Sequence, residues 1–332
     1  MSDTRTRPGP ARCRALSVLA GAVALALPAL AQDAPRLAFP VDCTLGETCF
    51  LQQFVDRDPG PSARAFDCGP QSYDGHEGTD IRLADMAALA EGVAVLAAAD
   101  GVVRAFRDGV PDGGTAAAPE GQGCGNGVVV DHAGGWQTQY CHLLEGSIAV
   151  AEGQAVAPGD VLGLIGYSGT TEFPHLEFLL RHEGRVVDPF DPSDPASCGG
   201  AAPALWADPV PNPGGGILSV GFSTGIPGLD TIAAGAAGTG AIPAGAEALV
   251  VWAFVHGGRA GDVVALRILD ADGAEVHAQD AVLERTQAQL FRASGRRTPQ
   301  GGWAPGLYRG EARLIRDGQE VDRGTTVVAI TR

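Results

Sequence analysis

From His76 onward the chain is a succession of short apolar runs that alternate with glycine and aspartate turns. The runs have the length of β-strands, and no long helical period competes with them. Only residues 83–90 have the composition of a helical turn or two. This pattern predicts a mainly β fold, with strands at 94–98, 102–106, 127–131, 136–143, 161–167 and 176–181.

The pattern breaks at 189–213, where closely spaced prolines and glycines prevent any continuous element. Beyond the break, about seven short strands without helices are typical of a small β-sandwich of immunoglobulin-like kind. A length of 332 residues suits two domains. The expected organisation is a disulfide-stapled lead-in, a first β domain, a Pro/Gly-rich linker and an accessory β-sandwich, at 32–75, 76–191, 192–213 and 214–332.

The first 31 residues have the features of an export signal. Four arginines between positions 5 and 14 precede the apolar run 15–27, which is followed by Ala29, Leu30 and Ala31. This order is typical of a cleavable signal peptide, which we place at 1–31. The apolar run is shorter than the ~20 residues of a spanning helix, so no membrane anchor is expected after cleavage. The predicted location is therefore periplasmic or secreted.

The cysteine content agrees with export. Of seven cysteines, Cys13 lies in the signal, which leaves an even number in the mature chain. Even counts in exported chains are typical of disulfides, whereas zinc ligation by cysteine is disfavoured because no CxxC pair is present. Cys43 and Cys49 are the most local pair. The remaining four can pair in three ways, and the sequence does not choose among Cys68, Cys124, Cys141 and Cys198.

Two short motifs carry the candidate chemistry, HEGTD at 76–80 and HLEF at 175–178. His76 and Asp80 are four residues apart, so an imidazole and a carboxylate can converge on one metal if the chain bends at Gly78. His175 and Glu177 are two residues apart, and in a strand such residues point to the same face. Both pairs are therefore candidate metal-binding groups.

The other histidines are assigned by their surroundings. His142 lies in the predicted strand 136–143, between the two motifs. His132 lies one strand earlier, and we interpret it as structural. His256 and His277 lie in the predicted accessory domain and are expected at its surface.

The motifs and the runs between them, taken in order, resemble the lysostaphin-type zinc metallopeptidases, the LytM-like family. The matching segments cover roughly residues 70–191 and read HEGTDIRL, GVAVLAAADGVVRAF, GNGVVVDH, WQTQYCHL, GDVLGLIGYSG and FPHLEFLLR. The resemblance implies an antiparallel β-sheet with a groove, and hydrolysis of peptide bonds in bacterial peptidoglycan by metal-activated water. It also implies one zinc ion held by His76, Asp80 and Glu177, with His142 and His175 as catalytic residues that do not bind the metal.

Glu177 departs from the family pattern, which has a histidine at the second position of its HxH motif. A carboxylate oxygen is an accepted zinc ligand, so coordination is retained. Two carboxylates and a neutral histidine neutralise the ion, however, whereas two histidines and one aspartate leave one positive charge. A weaker residual charge predicts slower hydrolysis, weaker zinc binding, or replacement of zinc by a harder divalent metal.

Two functions follow from these residues. The first is a secreted zinc metalloendopeptidase, a peptidoglycan hydrolase. The alternative is a catalytically weakened relative that binds peptidoglycan, or a partner hydrolase, without cleaving. A metallopeptidase with a protein substrate outside the wall is a third, lesser option.

Charge limits the partners. The net charge of -16 becomes about -19 after removal of four arginines and one aspartate with the signal. Nucleic acid and anionic lipid are poor partners for so acidic a chain. Residues 292–332 are the exception, with eight arginines against four acidic residues. They suggest contact with an anionic wall polymer or an acidic partner, or else arginines that only solvate exposed strands.

Overall fold

The computed structural model describes Met1, Ser2, residues 34–200 and residues 202–332. Apart from its first two residues, the predicted signal peptide at 1–31 lies outside the described part of the chain, as does Cys13. Residues Ala34–Arg332 form one compact unit. In the described residues, no helix combines the length and the apolar character needed to cross a membrane.

The first part of this unit is built on an antiparallel sheet of eight strands. The strands are β1 (Phe50–Gln53), β2 (Thr79–Arg82), β4 (Gly101–Arg107), β5 (Asn126–Asp131), β6 (Trp136–Leu143), β7 (Ala155–Val156), β9 (His175–His182) and β10 (Arg185–Val186). In space they run β1-β2-β9-β6-β5-β4-β7, with β10 paired to β9. Two further strands, β3 (Ala94–Leu96) and β8 (Val161–Leu164), form a small separate sheet.

Short 3-10 helices connect these strands, at Ala87–Glu91, Gly114–Ala116 and Ala133–Gly135. The first lies where the sequence predicted a helical turn. The mainly β, antiparallel fold is thus confirmed for this region.

The core below the sheet contains residues from outside the strands. In β6, Trp136, Thr138 and Tyr140 are buried while the residues between them are less so, as expected for a strand with one face in a core. Leu205 and Trp206, which belong to the predicted linker, are buried in the same core. The backbone of Trp206 also pairs with that of Leu37. The predicted linker is therefore packed against the first sheet.

All six cysteines of the described chain are in disulfides, as predicted. The local pair Cys43–Cys49 forms, and the other bridges are Cys68–Cys198 and Cys124–Cys141. The second bridge ties the lead-in to the segment that follows β10. The third lies next to His142.

The second part of the unit consists of two sheets that face each other. One has three antiparallel strands in the order β11-β13-β16, and the other has five in the order β12-β18-β17-β14-β15. The strands are β11 (Gly216–Ser223), β12 (Ala241–Pro243), β13 (Ala248–Gly258), β14 (Val263–Leu269), β15 (Glu275–Val282), β16 (Gln287–Arg297), β17 (Gly306–Arg316) and β18 (Gln319–Thr331). An apolar core lies between them, so the predicted β-sandwich is confirmed.

One element of this part was not predicted, a short helix α1 (Leu229–Ala233). Its Ile232 is fully buried, which holds the helix against the three-stranded sheet. The boundaries at 76–191, 192–213 and 214–332 stay predictions.

Strand β13 is buried on both faces. Val251, Ala253 and Val255 face the core between the two sheets. Trp252 and Phe254 face the other way, where they pack in a second cluster with Phe50 of β1, Leu218 and Ile232. We call the cluster of Phe50, Leu218, Ile232, Trp252 and Phe254 the seam, because it joins the three-stranded sheet to the first sheet.

His256 continues the seam. Its ring lies edge-on to that of Phe50, with 5.6 Å between the ring centres, and the side chain is 3% exposed. The prediction that His256 lies at the surface is therefore wrong, because the outer face of the three-stranded sheet is covered.

Candidate metal centre

Four of the five predicted site residues lie on three neighbouring strands, and the fifth, His76, lies just before β2. Asp80 of β2 pairs directly with Glu177 of β9, so their side chains leave the same face of the sheet. His175 lies two residues earlier on β9 and shares that face. The strand register thus brings both sequence motifs to one place.

His142 reaches this place through an irregular backbone. Its neighbour Cys141 pairs with Glu177, so a regular strand would turn His142 to the opposite face. His142 has a φ of 65°, in the left-handed region, which breaks the alternation. Its N–H donates to the carbonyl of Cys124 over 2.8 Å. A disulfide joins Cys124, the acceptor of this hydrogen bond, to Cys141, the residue before His142, and so holds the contact in place.

Three side chains converge closely enough to hold a metal ion. The Nε2 atom of His76 lies 3.1 Å from Oδ1 of Asp80 and 3.6 Å from Oε1 of Glu177. The three potential ligand atoms lie within 4.8 Å of one another. One nitrogen and two oxygens are a donor set that zinc accepts.

The other two histidines approach the same carboxylates. The Nε2 atom of His142 lies 3.5 Å from Oε2 of Glu177, and that of His175 lies 3.4 Å from Oδ1 of Asp80. The centres of these two rings are 4.6 Å apart. Each carboxylate therefore lies between His76 and one further imidazole.

Backbone carbonyls fix the orientation of all three rings. Each Nδ1 donates to a carbonyl oxygen: His76 to Phe54 over 2.8 Å, His142 to Ser168 over 2.7 Å and His175 to Phe173 over 2.9 Å. In the neutral ring, a proton on Nδ1 leaves the lone pair of Nε2 free for a metal ion that would lie between the rings and the carboxylates. Such an outer hydrogen bond is typical of metal-binding histidines, so these residues fit a zinc ion.

The charges of the cluster support one another. Burial lowers the pKa of His76, but the charge of Asp80 and the hydrogen bonds to Asp80 and Phe54 outweigh it and raise this pKa to about 9. Burial raises the pKa of Asp80, but His175 and His76 together hold it well below its usual value. Asp80 is thus an anion at any ordinary pH, as a metal ligand must be.

Gly78 makes room for Glu177. A Cβ atom at this position would lie 2.7 Å from Cγ of Glu177, closer than a real contact allows. The sequence predicted a glycine that lets the chain bend between His76 and Asp80. The structure adds that any larger residue would displace the Glu177 side chain.

The cluster lies in a groove of about 430 Å³. Sequence reasoning missed several of its lining residues, among them Tyr73, whose ring lies 4.4 Å from that of His76. Burial, followed by the charges of Asp80 and Glu177, raises the pKa of Tyr73, so its hydroxyl stays protonated. The groove also receives Gln52 and Gln53 from β1, and Ala288 and Gln289 from β16.

The remaining histidines lie apart from the cluster. His132 contacts the carbonyl of Asp100 over 2.7 Å and the hydroxyl of Thr138 over 2.8 Å, which agrees with a structural role. His277 contacts the Ser294 hydroxyl over 2.8 Å in the sandwich.

Comparison with known proteins gives a family match for the region that carries this cluster. Residues 74–189 match the profile described as Peptidase family M23. The chain is 37% identical to the cell division protein DipM of Caulobacter vibrioides over 106 residues, 32% of this chain and 15% of DipM. It is 36% identical to the DD-carboxypeptidase/endopeptidase Mpg of Neisseria meningitidis serogroup B over 102 residues, 31% of this chain and 20% of Mpg.

A third relative is the peptidoglycan DD-endopeptidase ShyA of Vibrio cholerae, 34% identical over 113 residues, 34% of this chain and 22% of ShyA. The chain thus spans less than a quarter of each of these relatives. Among solved structures, a zinc-containing peptidase from Vibrio cholerae is 25% identical, with a TM-score of 0.32 over 47% of this chain and 39% of that one. The catalytic domain of lysostaphin from Staphylococcus simulans is 22% identical, with a TM-score of 0.27 over 40% of this chain and 84% of that one.

Proposed function

We propose that the chain is a secreted zinc metalloendopeptidase that hydrolyses peptide bonds of bacterial peptidoglycan. The match of residues 74–189 to the profile of Peptidase family M23 supports this function. The observation that carries the proposal is the convergence of His76, Asp80 and Glu177 within 4.8 Å, beside two oriented histidines. The names of Mpg and ShyA, an endopeptidase and a peptidoglycan endopeptidase, support the substrate.

We propose that His76, Asp80 and Glu177 hold one zinc ion. When bound there, zinc would supply a Lewis acid for the scissile carbonyl and would lower the pKa of a water molecule toward neutrality. The second carboxylate, Glu177, offsets the remaining positive charge. Weak binding of zinc, or its replacement by another divalent metal, is therefore part of the proposal.

His142 and His175 are the proposed catalytic residues. With Nδ1 held by a carbonyl, each presents Nε2 to the groove as the atom that can accept or donate a proton. In hydrolysis they orient the attacking water, take up its proton and return a proton to the leaving amine. A protonated Nε2 also stabilises the developing oxyanion.

Metal analysis of the purified mature chain tests this function. We expect one zinc per chain and release of soluble muropeptides from purified peptidoglycan. Glu177→Ala should lose both zinc and hydrolysis, whereas Glu77→Ala, an exposed neighbour of His76, should lose neither. If the parent binds no divalent metal and gains no activity when zinc is added, the proposal is wrong.

Glu177 also favours the second function, a relative that binds peptidoglycan or a partner hydrolase without cleaving. This function predicts that the parent binds purified walls but releases no muropeptides. Glu177→His then restores the ligand type of the family, so a large gain of hydrolysis from an inactive parent supports it. An active parent that loses activity in Glu177→Ala excludes it.

A periplasmic or secreted location is proposed from the export signal at 1–31, and the three disulfides support it. Contact of the arginine-rich final strands with wall polymer is a further proposal, and several ion pairs weaken it. Arg309 pairs with Glu311, and Arg323 with Glu320. The contact would then rest on Arg296 and Arg297, which are exposed near the end of β16, and on the exposed Arg332.

A further inference from the structure

Strand β16 of the sandwich begins at the metal groove. Ala288 and Gln289 line the same groove as Asp80, His142 and Glu177. They follow Asp80 in the chain by some 200 residues, and they come from the part that was expected to act as a separate accessory module. The groove is therefore built by both parts of the unit.

Hydrogen bonds hold the start of β16 in place. The Gln52 amide donates to the carbonyl of Ala288 over 2.7 Å. The guanidinium of Arg82 donates to Oε1 of Gln52 over 3.0 Å and to Oε1 of Gln289 over 3.2 Å. Arg82 lies on β2, two residues after Asp80, so the strand that carries a proposed ligand also carries the group that positions β16.

Arg82 is itself immobilised. It is 1% exposed, and its guanidinium carbon lies 4.6 Å from the ring centre of Phe173 at the groove and 5.4 Å from that of Phe254 in the seam. A buried guanidinium that loses its hydrogen-bond acceptors leaves unsatisfied donors on a charged group, which is unfavourable. The position of Gln289 relative to Asp80 is thus fixed.

The chemistry of Gln289 suits a peptide. Since its Oε1 accepts from Arg82, its amide presents two N–H donors, for which the described residues supply no acceptor within hydrogen-bonding distance. A neutral donor at the side of a groove matches the carbonyl oxygen of a peptide bond.

We propose that the start of β16 is the second wall of the substrate groove, and that Gln289 donates a hydrogen bond to a backbone carbonyl of the bound peptide. Arg82 is the positioning residue for this donor. The inference rests on the proposed function, because it assigns the peptide to the groove that holds the metal.

The test uses the full zinc-loaded protein and soluble cross-linked muropeptide dimers from purified peptidoglycan. Gln289→Ala removes the donor, and KM should rise about fivefold with kcat and zinc content unchanged, as expected for one neutral hydrogen bond. Ala288→Trp fills the groove from an exposed position and should raise KM more than tenfold. Gln279→Ala, an exposed glutamine on the other sheet, is the matched control and should leave KM unchanged.

Unchanged KM in both Gln289→Ala and Ala288→Trp, with both variants folded, overturns the inference. If the parent does not hydrolyse the dimers, the proposed function fails. The proposed second wall of the groove is then tested by calorimetric titration of the dimers into the parent and the variants. A fivefold loss of affinity in Gln289→Ala and a tenfold loss in Ala288→Trp then support the second wall of the groove, and affinities equal to that of the parent overturn it. A parent that neither hydrolyses nor binds the dimers overturns both.

Discussion

The two walls of the groove are held together by different kinds of contact. The metal wall consists of β2, β6 and β9, whose backbones are hydrogen-bonded in one sheet, so the positions of Asp80 and Glu177 follow from strand register. The wall at Ala288 and Gln289 is held by hydrogen bonds from the side chains of Gln52 and Arg82, which belong to the first sheet. The proposed chemistry therefore depends on local motifs in a single sheet, whereas the proposed recognition of a substrate depends on how two sheets pack.

The largest effect is expected at the metal wall. Asp80→Ala removes a carboxylate that lies 3.1 Å from His76 and 3.4 Å from His175. Zinc should be lost, and hydrolysis should fall by more than about 100-fold, since even outer partners of metal ligands are worth 10–100-fold. Zinc stoichiometry and muropeptide release measure both. Asp85→Ala, a nearby aspartate outside the cluster, is the control, and full zinc occupancy in Asp80→Ala would contradict the assignment.

The same contrast explains what the sequence could predict. HxxxD and HxE are local spacings, so the pairs His76/Asp80 and His175/Glu177 could be singled out from the residues alone. The place of His142 and the grouping of all five residues into one site came from the resemblance to the lysostaphin-type family. The disulfide pairing of Cys68, Cys124, Cys141 and Cys198 was left open, because it depends on how distant segments pack.

The second wall could not be predicted from spacing, because Gln52 and Ala288 are 236 residues apart. One signal of the seam was present, however. Residues 248–255 are a nearly continuous apolar run, which is typical of a strand buried on both faces, whereas a sandwich strand with one solvated face alternates. Read in that way, the run predicts a covered outer face, and with it a buried His256.

Shortening a side chain in the seam should affect the second wall of the groove and leave the metal wall unchanged. Phe254→Ala removes a fully buried ring, which costs about 3–5 kcal/mol of unfolding free energy in protein cores. The ring also lies against Arg82, so KM for muropeptide dimers should rise while zinc content stays the same. Denaturant unfolding and kinetics measure the two effects. Phe106→Ala, at an exposed phenylalanine of β4, is the matched control, and similar losses in both variants would argue against the seam.

Loss of the Cys124–Cys141 bridge should affect the metal wall instead. The bridge spans 17 residues, and closing a loop of about that length contributes about 3 kcal/mol to stability. It also joins Cys141, which precedes the left-handed His142, to Cys124, whose carbonyl accepts from the His142 N–H, so kcat should fall about tenfold or more while KM changes little.

The double variant Cys124→Ser/Cys141→Ser measures this effect. Its control is Cys43→Ser/Cys49→Ser, which removes a bridge in the lead-in and should lower only the melting temperature. If kcat falls equally in both, the bridge has no specific role in placing His142.

The smallest effect is a pH dependence of stability that arises at the seam. Burial, with the charge of Arg82 in addition, lowers the pKa of His256 to about 3, against about 6.5 in the unfolded chain. Below pH ~6.5 the unfolded chain binds a proton that the folded chain does not, so stability falls by up to about 1.4 kcal/mol per pH unit as the pH drops toward 3. His256→Leu should flatten this fall.

Urea unfolding at pH 7, 6 and 5 measures the slope of stability against pH. His277→Leu, at a half-buried histidine of β15, is the control and should flatten this slope less. Parallel curves for the parent and His256→Leu would mean that His256 is not held neutral against Phe50, and the packing that supports the second wall would then be wrong.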